Sequence, residues 1–275
     1  MMGMKQSKPR KITPAGLYLT AVLVFMYLPV VMVVLYSFNV SKSDARWTGF
    51  TLDWYGKMLH NQVLMEALRN SLIVAVCACL LSAVIGTICA VGLARWSFRG
   101  KGLLENMSLL PIMIPEIILG MVFLAFFSFI GLPFGLLTLI LGHTSFCIPY
   151  IFLVVRGRLV GLDPSIGEAA RDLGAGQWRM FFDITLPLIA PAVLSGSLLA
   201  FAMSLDDVVI SFFVTGATTN TLPIKIYSQI KFGVTPEINA LCTVMLCITF
   251  ALIFASGKIG AKHTQTTPNT QEENV

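Results

Sequence analysis

The 275-residue sequence predicts an all-α membrane protein with six transmembrane helices. Two observations carry that reading. The first is composition: 56% of the residues are hydrophobic, 12% are charged, and the mean hydropathy is +0.81. Apolar runs of 18 or more residues recur along the chain, the length needed to cross a bilayer as a helix. The second is the side on which the 19 basic residues fall. With the N-terminus inside, the inner segments hold Lys5, Lys8, Arg10, Lys11, Arg95, Arg99, Lys101, Arg156, Arg158, Arg171, Arg179, Lys258 and Lys262. The outer segments hold Lys42, Arg46, Lys57, Arg69, Lys225 and Lys231. That excess satisfies the positive-inside rule and places both termini in the cytoplasm.

Residues 1–14 form a polar, basic cytoplasmic segment, and residues 15–257 hold the six helices. The first apolar run, 15–38, is too long for a signal peptide and lacks a cleavage site, so it reads as an uncleaved span containing Pro29. A polar loop over 39–69 carries Trp47, Trp54 and Tyr55, aromatic residues suited to a membrane interface. In the second span, 70–94, Ser82, Gly86 and Ala90 repeat every four residues, a small-residue stripe that permits close helix packing. Span three, 103–130, contains Pro111, Pro115 and Glu116, and Gly131-Leu132-Pro133 turns the chain into span four, 134–155. A polar stretch precedes span five, 186–212, where Ala192, Gly196, Ala200 and Ser204 form a second small-residue stripe. Span six covers 238–257, and the polar tail 258–275 is expected to be disordered inside the cell.

Composition also excludes functions. A net charge of +5 does not point to nucleic acid. The six cysteines all lie in apolar stretches without zinc-type spacing and read as small packing residues, so no metal site is expected. No nucleophile–base arrangement emerges, so no catalytic residue is assigned.

Two features carry chemistry. The first is the polar stretch 163–174. Ser165 and Glu168 stand at capping-box spacing, Pro164 suits the first turn, and Gly174 sits where a left-handed C-cap would end the helix. Ile166, Ala169, Ala170 and Leu173 fall on one small apolar face, with Glu168, Arg171 and Asp172 around it. Such a helix suits a groove on a partner; a solvated loop anchoring the span ends is the alternative. The second feature is acid inside the spans, where ionisable groups are costly and tend to be functional. Glu116 follows Pro115, and Asp206-Asp207 ends the span-five stripe. Carboxylates there suit a cation pathway. Alternatively, they pair with a neighbouring subunit's base, cap a broken helix or lie in the outer interface. Phe201, Phe212 and Tyr227 are left unassigned, and His143 reads as a packing residue before a proton-sensitive one.

The run Glu168-Ala169-Ala170, Gly174, Ile184, Leu186, Pro187 meets every fixed position of E-A-A-x3-G-x9-I-x-L-P, and so resembles the loop of ABC importer permeases. That resemblance implies a type I ABC importer permease fold in which the loop 156–187 is cytoplasmic and carries a coupling helix docked on an ATPase. Glu168, Ala169, Ala170, Asp172, Leu173 and Gly174 would serve that coupling. The segments 201–216, 222–228 and 233–241, with Tyr36-Ser37-Phe38-Asn39 and His143-Thr144-Ser145-Phe146-Cys147, are similar to spermidine/putrescine permease subunits. Glu116 departs from that pattern, which has Asp after Pro. The resemblance implies a bacterial inner-membrane importer in which this chain and a second permease subunit, as a heterodimer, form the pathway. Two ATPase subunits and a periplasmic binding protein would complete it. The chain has no phosphate-binding G-x-x-x-x-G-K-[ST] loop, so ATP and magnesium would belong to the ATPase and no cofactor to this chain. An ABC importer permease for another cation or small solute, or a stand-alone cation channel or secondary transporter, are the alternatives.

Overall fold

A computed structural model describes residues 14–42, 46–230, 233 and 235–263, with Pro164 and residues 251–263 described as backbone only. Among the described residues the regular structure is helical, apart from one antiparallel bridge between Asn39 and Phe50. In chain order the helices are α1 Pro14–Tyr36, α2 Asp53–His60, α3 Gln62–Arg95, α4 Lys101–Met113, α5 Glu116–Phe129 and α6 Leu136–Val160. After them come α7 Pro164–Asp172, α8 Gln177–Arg179, a π-helical stretch Met180–Thr185, and α9 Leu186–Asp206. The last three are α10 Val209–Val214, α11 Leu222–Ile230 and α12 Pro236–His263. They divide between two compact units, residues 1–61 with 232–275, and residues 62–231.

In the first unit, α1 buries none of its residues and leaves apolar side chains such as Leu17, Val24 and Phe25 exposed, as a helix facing hydrocarbon does. The chain then folds back on itself. Val40 N–H donates to Gly49 O (3.0 Å) and Thr51 N–H to Phe38 O (2.8 Å), while Phe38 stacks on Phe50 with ring centroids 5.4 Å apart. Asn39 is buried with both ends of its amide bonded: Nδ2 donates to Arg46 O (2.8 Å) and Oδ1 accepts from Thr48 N (2.9 Å). Of the aromatic residues expected at a membrane interface, Trp54 and Tyr55 direct their polar atoms into the chain. Trp54 is buried and donates Nε1–H to Asn39 O (2.7 Å), and Tyr55 Oη pairs with Ser37 Oγ (2.8 Å), because an indole N–H or phenol leaving water needs a partner. Trp47 alone of the three is strongly exposed. Asn61 Nδ2 donates to Glu237 Oε2 (2.7 Å), joining the end of α2 to the start of α12.

The second unit is built on α3, α6 and α9. The small-residue stripes do what their spacing predicts. A Cβ on Gly86 would lie 3.1 Å from Ile148 O and 3.2 Å from Ile151 Cβ, and one on Gly196 would lie 3.2 Å from Ile151 Cα. The two stripes therefore grip α6 from both sides at Ile151, which is completely buried. The cysteines join this packing: Cys79 Sγ donates to Ser197 O (3.1 Å) and Cys147 Sγ to Ala200 O (3.4 Å).

Several boundaries differ from the sequence reading. Span two starts eight residues earlier, at Gln62, so the end of the predicted loop is helix. Span three is not one rod: α4 and α5 meet at a bend of 108°. Proline explains it, since Pro115 supplies no N–H and forces Ile114 into extended backbone (φ −84°, ψ 131°). Span five is also discontinuous, because α9 ends at Asp206 and Asp207 is extended (φ −63°, ψ 127°) before α10 begins. Among the described residues four helices are long and apolar enough to cross a membrane, and five if α4 and α5 count as one span. The described apolar part of α12 is Pro236–Phe250, shorter than a full span.

Gly216, two residues past α10, has its backbone against the loop before α6. A Cβ there would come 2.4 Å from Phe134 O, a backbone atom with no rotamer to escape into. Gly216→Ala is expected to destabilise the protein by about 1–3 kcal/mol, the usual cost of overpacking. Thermal denaturation of the purified protein in detergent checks this, and an unchanged midpoint would refute it.

Candidate functional site

The break between α9 and α10 is where the predicted acids gather, and it treats them differently. Asp206 is the last residue of α9 and is exposed. Asp207 turns inward, and its side chain retains 6% of its surface. Its Oδ1 accepts from Ile210 N (3.2 Å) and its Oδ2 from Ser211 N (2.7 Å), so it caps the first turn of α10. A third partner arrives from α6: His143 Nε2 lies 3.4 Å from Asp207 Oδ2. His143 is itself buried, with Nε2 2.8 Å from Ser211 Oγ and Nδ1 2.7 Å from Ser204 Oγ. A carboxylate withdrawn from water needs compensation of this kind.

Sequence reasoning had the broken-helix cap as one of its alternatives for this pair, and the geometry favours it for Asp207. It had not joined Asp207 to His143. A signal was available: two ionisable groups in apolar spans are each expensive alone, and pairing them is the cheapest arrangement.

The second break is tied to the first by packing. Glu116 opens α5 and is exposed, its carboxylate placed at a helix N-terminus, where negative charge is favoured. One turn on, Gly120 lies under Phe213 of α10, so closely that a Cβ there would be 2.4 Å from Phe213 Cδ2. The far end of α10 is fastened by Thr138 Oγ1, which donates to Val214 O (2.7 Å). Phe212 and Tyr227 are exposed and Phe201 is half-buried.

At the loop 156–187, α7 forms as its composition demands, with a different cap. Asp163 is the N-cap, its Oδ1 accepting from Ser165 N (2.9 Å), and Pro164 follows at the first helical position. The expected Ser165–Glu168 capping box is thereby corrected: the carboxylate two residues upstream takes the Ser165 N–H that the Glu168 side chain was to accept. That bond holds the Asp163 carboxyl below the usual carboxylate range. Gly174 ends the helix with φ +78°, Ala175 N–H donating to Ala170 O (3.0 Å) and Gly174 N–H to Arg171 O (2.8 Å). This pair of bonds is a Schellman motif and requires a residue free to adopt left-handed backbone. Ala170 is buried, whereas Glu168, Ala169 and Asp172 are exposed and Leu173 keeps 88% of its surface. The π-helical stretch beyond is held to α3 by the Arg95 guanidinium, which donates to Thr185 Oγ1. From Gln177 to Asp206 the chain runs as 30 consecutive helical residues, linking this loop directly to the acid-bearing break.

Residues 82–263 match the model of a family described as the inner membrane component of binding-protein-dependent transport systems. The spermidine/putrescine transport system permease protein PotC of Escherichia coli strain K12 is 39% identical over 250 residues, covering 91% of this chain and 95% of that protein. The putrescine transport system permease protein PotI of the same strain is 46% identical over 229 residues, 81% of this chain and 82% of that one. In fold, the chain is similar to one from the crystal structure of a bacterial ABC transporter involved in import of the acidic polysaccharide alginate. The TM-score is 0.70 at 15% identity, covering 95% of this chain and 99% of that chain. A chain of the MetNI methionine ABC transporter gives a TM-score of 0.59 at 20% identity, covering 73% of this chain and 95% of that chain. The family read from the E-A-A loop and from span five is thus the family found. On these matches the chain belongs to the inner-membrane permease components of binding-protein-dependent ABC transport systems.

Proposed function

We propose that this chain is one of two permease subunits of an ATP-driven polyamine importer of the bacterial inner membrane, with spermidine or putrescine as cargo. The observation that carries the reading is an exposed carboxylate at each of two adjoining helix breaks, Glu116 and Asp206, in a chain whose relatives are named for these cations. Acids at breaks suit a polyamine because each ammonium loses hydration on entering a membrane and regains it from carboxylate and free carbonyl oxygens. Asp207 belongs to the same pathway as the group that shapes the break. An anionic cargo would meet like charge there.

Six spans fit this role: α1, α3, α4 with α5, α6, the element Gln177–Asp206, and α12, with both termini in the cytoplasm. In this arrangement α7 is the coupling helix. Glu168, Ala169, Asp172 and Leu173 form its docking surface, Ala170 packs beneath it against this chain's own residues, and Gly174 sets its end. Two ATPase subunits bind ATP and magnesium and do the hydrolysis; a second, related permease completes the pathway and a periplasmic binding protein delivers cargo. Closure of the ATPase dimer pushes α7, and the 30-residue helix that follows carries the displacement to Asp206, about 45 Å away.

Uptake of labelled spermidine and putrescine by cells carrying the intact complex tests the cargo. Uptake that depends on this chain and on ATP is expected. Absence of uptake of both, with the complex present in the membrane, would overturn the cargo and leave the family standing.

A further inference from the structure

We infer that His143 is a positioning residue that locks the break between α9 and α10, so that the pair Asp206-Asp207 offers cargo one carboxylate rather than two. The inference rests on the polyamine reading above for its cargo, though not for its geometry. Two adjacent acids at a helix break suggest a double-charged clamp. The contacts say otherwise: Asp207 is occupied by Ile210 N–H, Ser211 N–H and His143, and only Asp206 is exposed.

What decides which acid turns inward is the backbone at 206–208, and His143 fixes it from outside. Among the described residues it is the one side chain from another helix that bonds both sides of the break. Nδ1 meets Ser204 Oγ, in the last turn of α9, at 2.7 Å, and Nε2 meets Ser211 Oγ, in the first turns of α10, at 2.8 Å. A serine hydroxyl both donates and accepts, so the Asp207 carboxylate selects the tautomer: it only accepts, and the ring proton facing it is therefore on Nε2. The imidazole is anchored in turn by α6, which is gripped at Ile151 by α3 and α9 and packs at Gly142 against Ile210 and Val214 of α10. With this strut present, Asp207 stays under the N-terminus of α10 and Asp206 stays outside. Without it, the start of α10 is joined to α9 by the extended link and the Asp207 cap, and the remaining hydrogen bond from α6, from Thr138, lies at the far end of α10.

The test uses the intact complex, with its partner permease, ATPases and binding protein, reconstituted in lipid vesicles. KM and Vmax for spermidine and putrescine uptake are measured for wild type, His143→Gln, Asp206→Asn and the double variant. Each single change is expected to raise KM by about tenfold, the usual weight of one charge-assisted contact. The double variant is expected to match Asp206→Asn alone, since a residue acting through Asp206 has nothing further to lose. Ser204→Ala, a smaller change, is expected to move KM in the same direction. Factors that multiply in the double variant would overturn the inference. So would a His143→Gln complex of reduced abundance with unchanged KM, the result of a packing role alone.

Amide hydrogen exchange on the same complex gives an arm that needs no cargo. His143→Gln is expected to speed exchange at residues 210–214 by about tenfold while α12 is unaffected. Equal exchange in α10 would overturn the inference. Should the wild-type complex take up neither polyamine, the cargo reading falls and this exchange measurement still decides the role of His143.

Discussion

Glu168→Lys is expected to lower ATP-driven uptake by about a hundredfold while the permease still reaches the membrane. The residue is exposed on a nine-residue helix whose stability lies elsewhere: in the Asp163 cap, in Pro164, and in the Schellman end at Gly174. Among the described residues Glu168 has no hydrogen bond or ion pair, so its replacement leaves the chain's own contacts untouched. What changes is the surface proposed above to dock the ATPase. Reversing a charge at an interface costs several kcal/mol when the partner presents the opposite sign, which is the scale of a hundredfold loss or more. Glu168→Gln, which removes the charge and keeps the shape, is expected to fall between. The measurement is ATP hydrolysis stimulated by loaded binding protein, alongside uptake, with the variant complex isolated through its ATPase. Weakened association or lost stimulation supports the docking role. Normal stimulated hydrolysis and normal uptake would show that α7 does not dock through this face.

The parts of this molecule that sequence exposes are those governed by local rules. The stripes Ser82-Gly86-Ala90 and Ala192-Gly196-Ala200-Ser204 predicted close packing because only small side chains let two helices approach, and Ile151 lies between them. Gly174 predicted a left-handed helix end for an equally local reason, and it has φ +78°. The bend at Pro115 was half visible: proline announces an interruption, but the 108° angle depends on what α5 packs against, which is Phe213 of α10. Asp207 was less legible. Whether an acid near a span's end faces a pathway or folds under a helix is settled by partners far along the chain. The decisive one, His143, lies 64 residues away on another helix. Trp54 illustrates the same limit, since an aromatic residue near a span end suits an interface or a core, and here Asn39 O made it core.

Asp206 and Asp207, although adjacent, are expected to fail in different ways when each is changed to asparagine. Asp206→Asn removes an exposed charge that has no structural work in this chain. The complex should assemble at wild-type levels, with KM for polyamine raised about tenfold or more, and Asp206→Glu should restore much of the loss by returning the charge. Asp207→Asn does the reverse. The asparagine presents one oxygen where the carboxylate presented two, so either Ile210 N–H or Ser211 N–H faces an amide NH₂ instead of an acceptor. A buried donor left without its acceptor costs about 1–3 kcal/mol. Asp207→Asn is therefore expected to reduce complex abundance and Vmax, with a smaller effect on KM than Asp206→Asn. Uptake kinetics normalised to the amount of complex in the membrane separate the two. Equal KM shifts with equal assembly would show that both carboxylates face cargo, and that the inward turn of Asp207 is not the state in which cargo binds. Opposite signatures would mean that the chain spends one acid to shape the break and exposes the other to the cation.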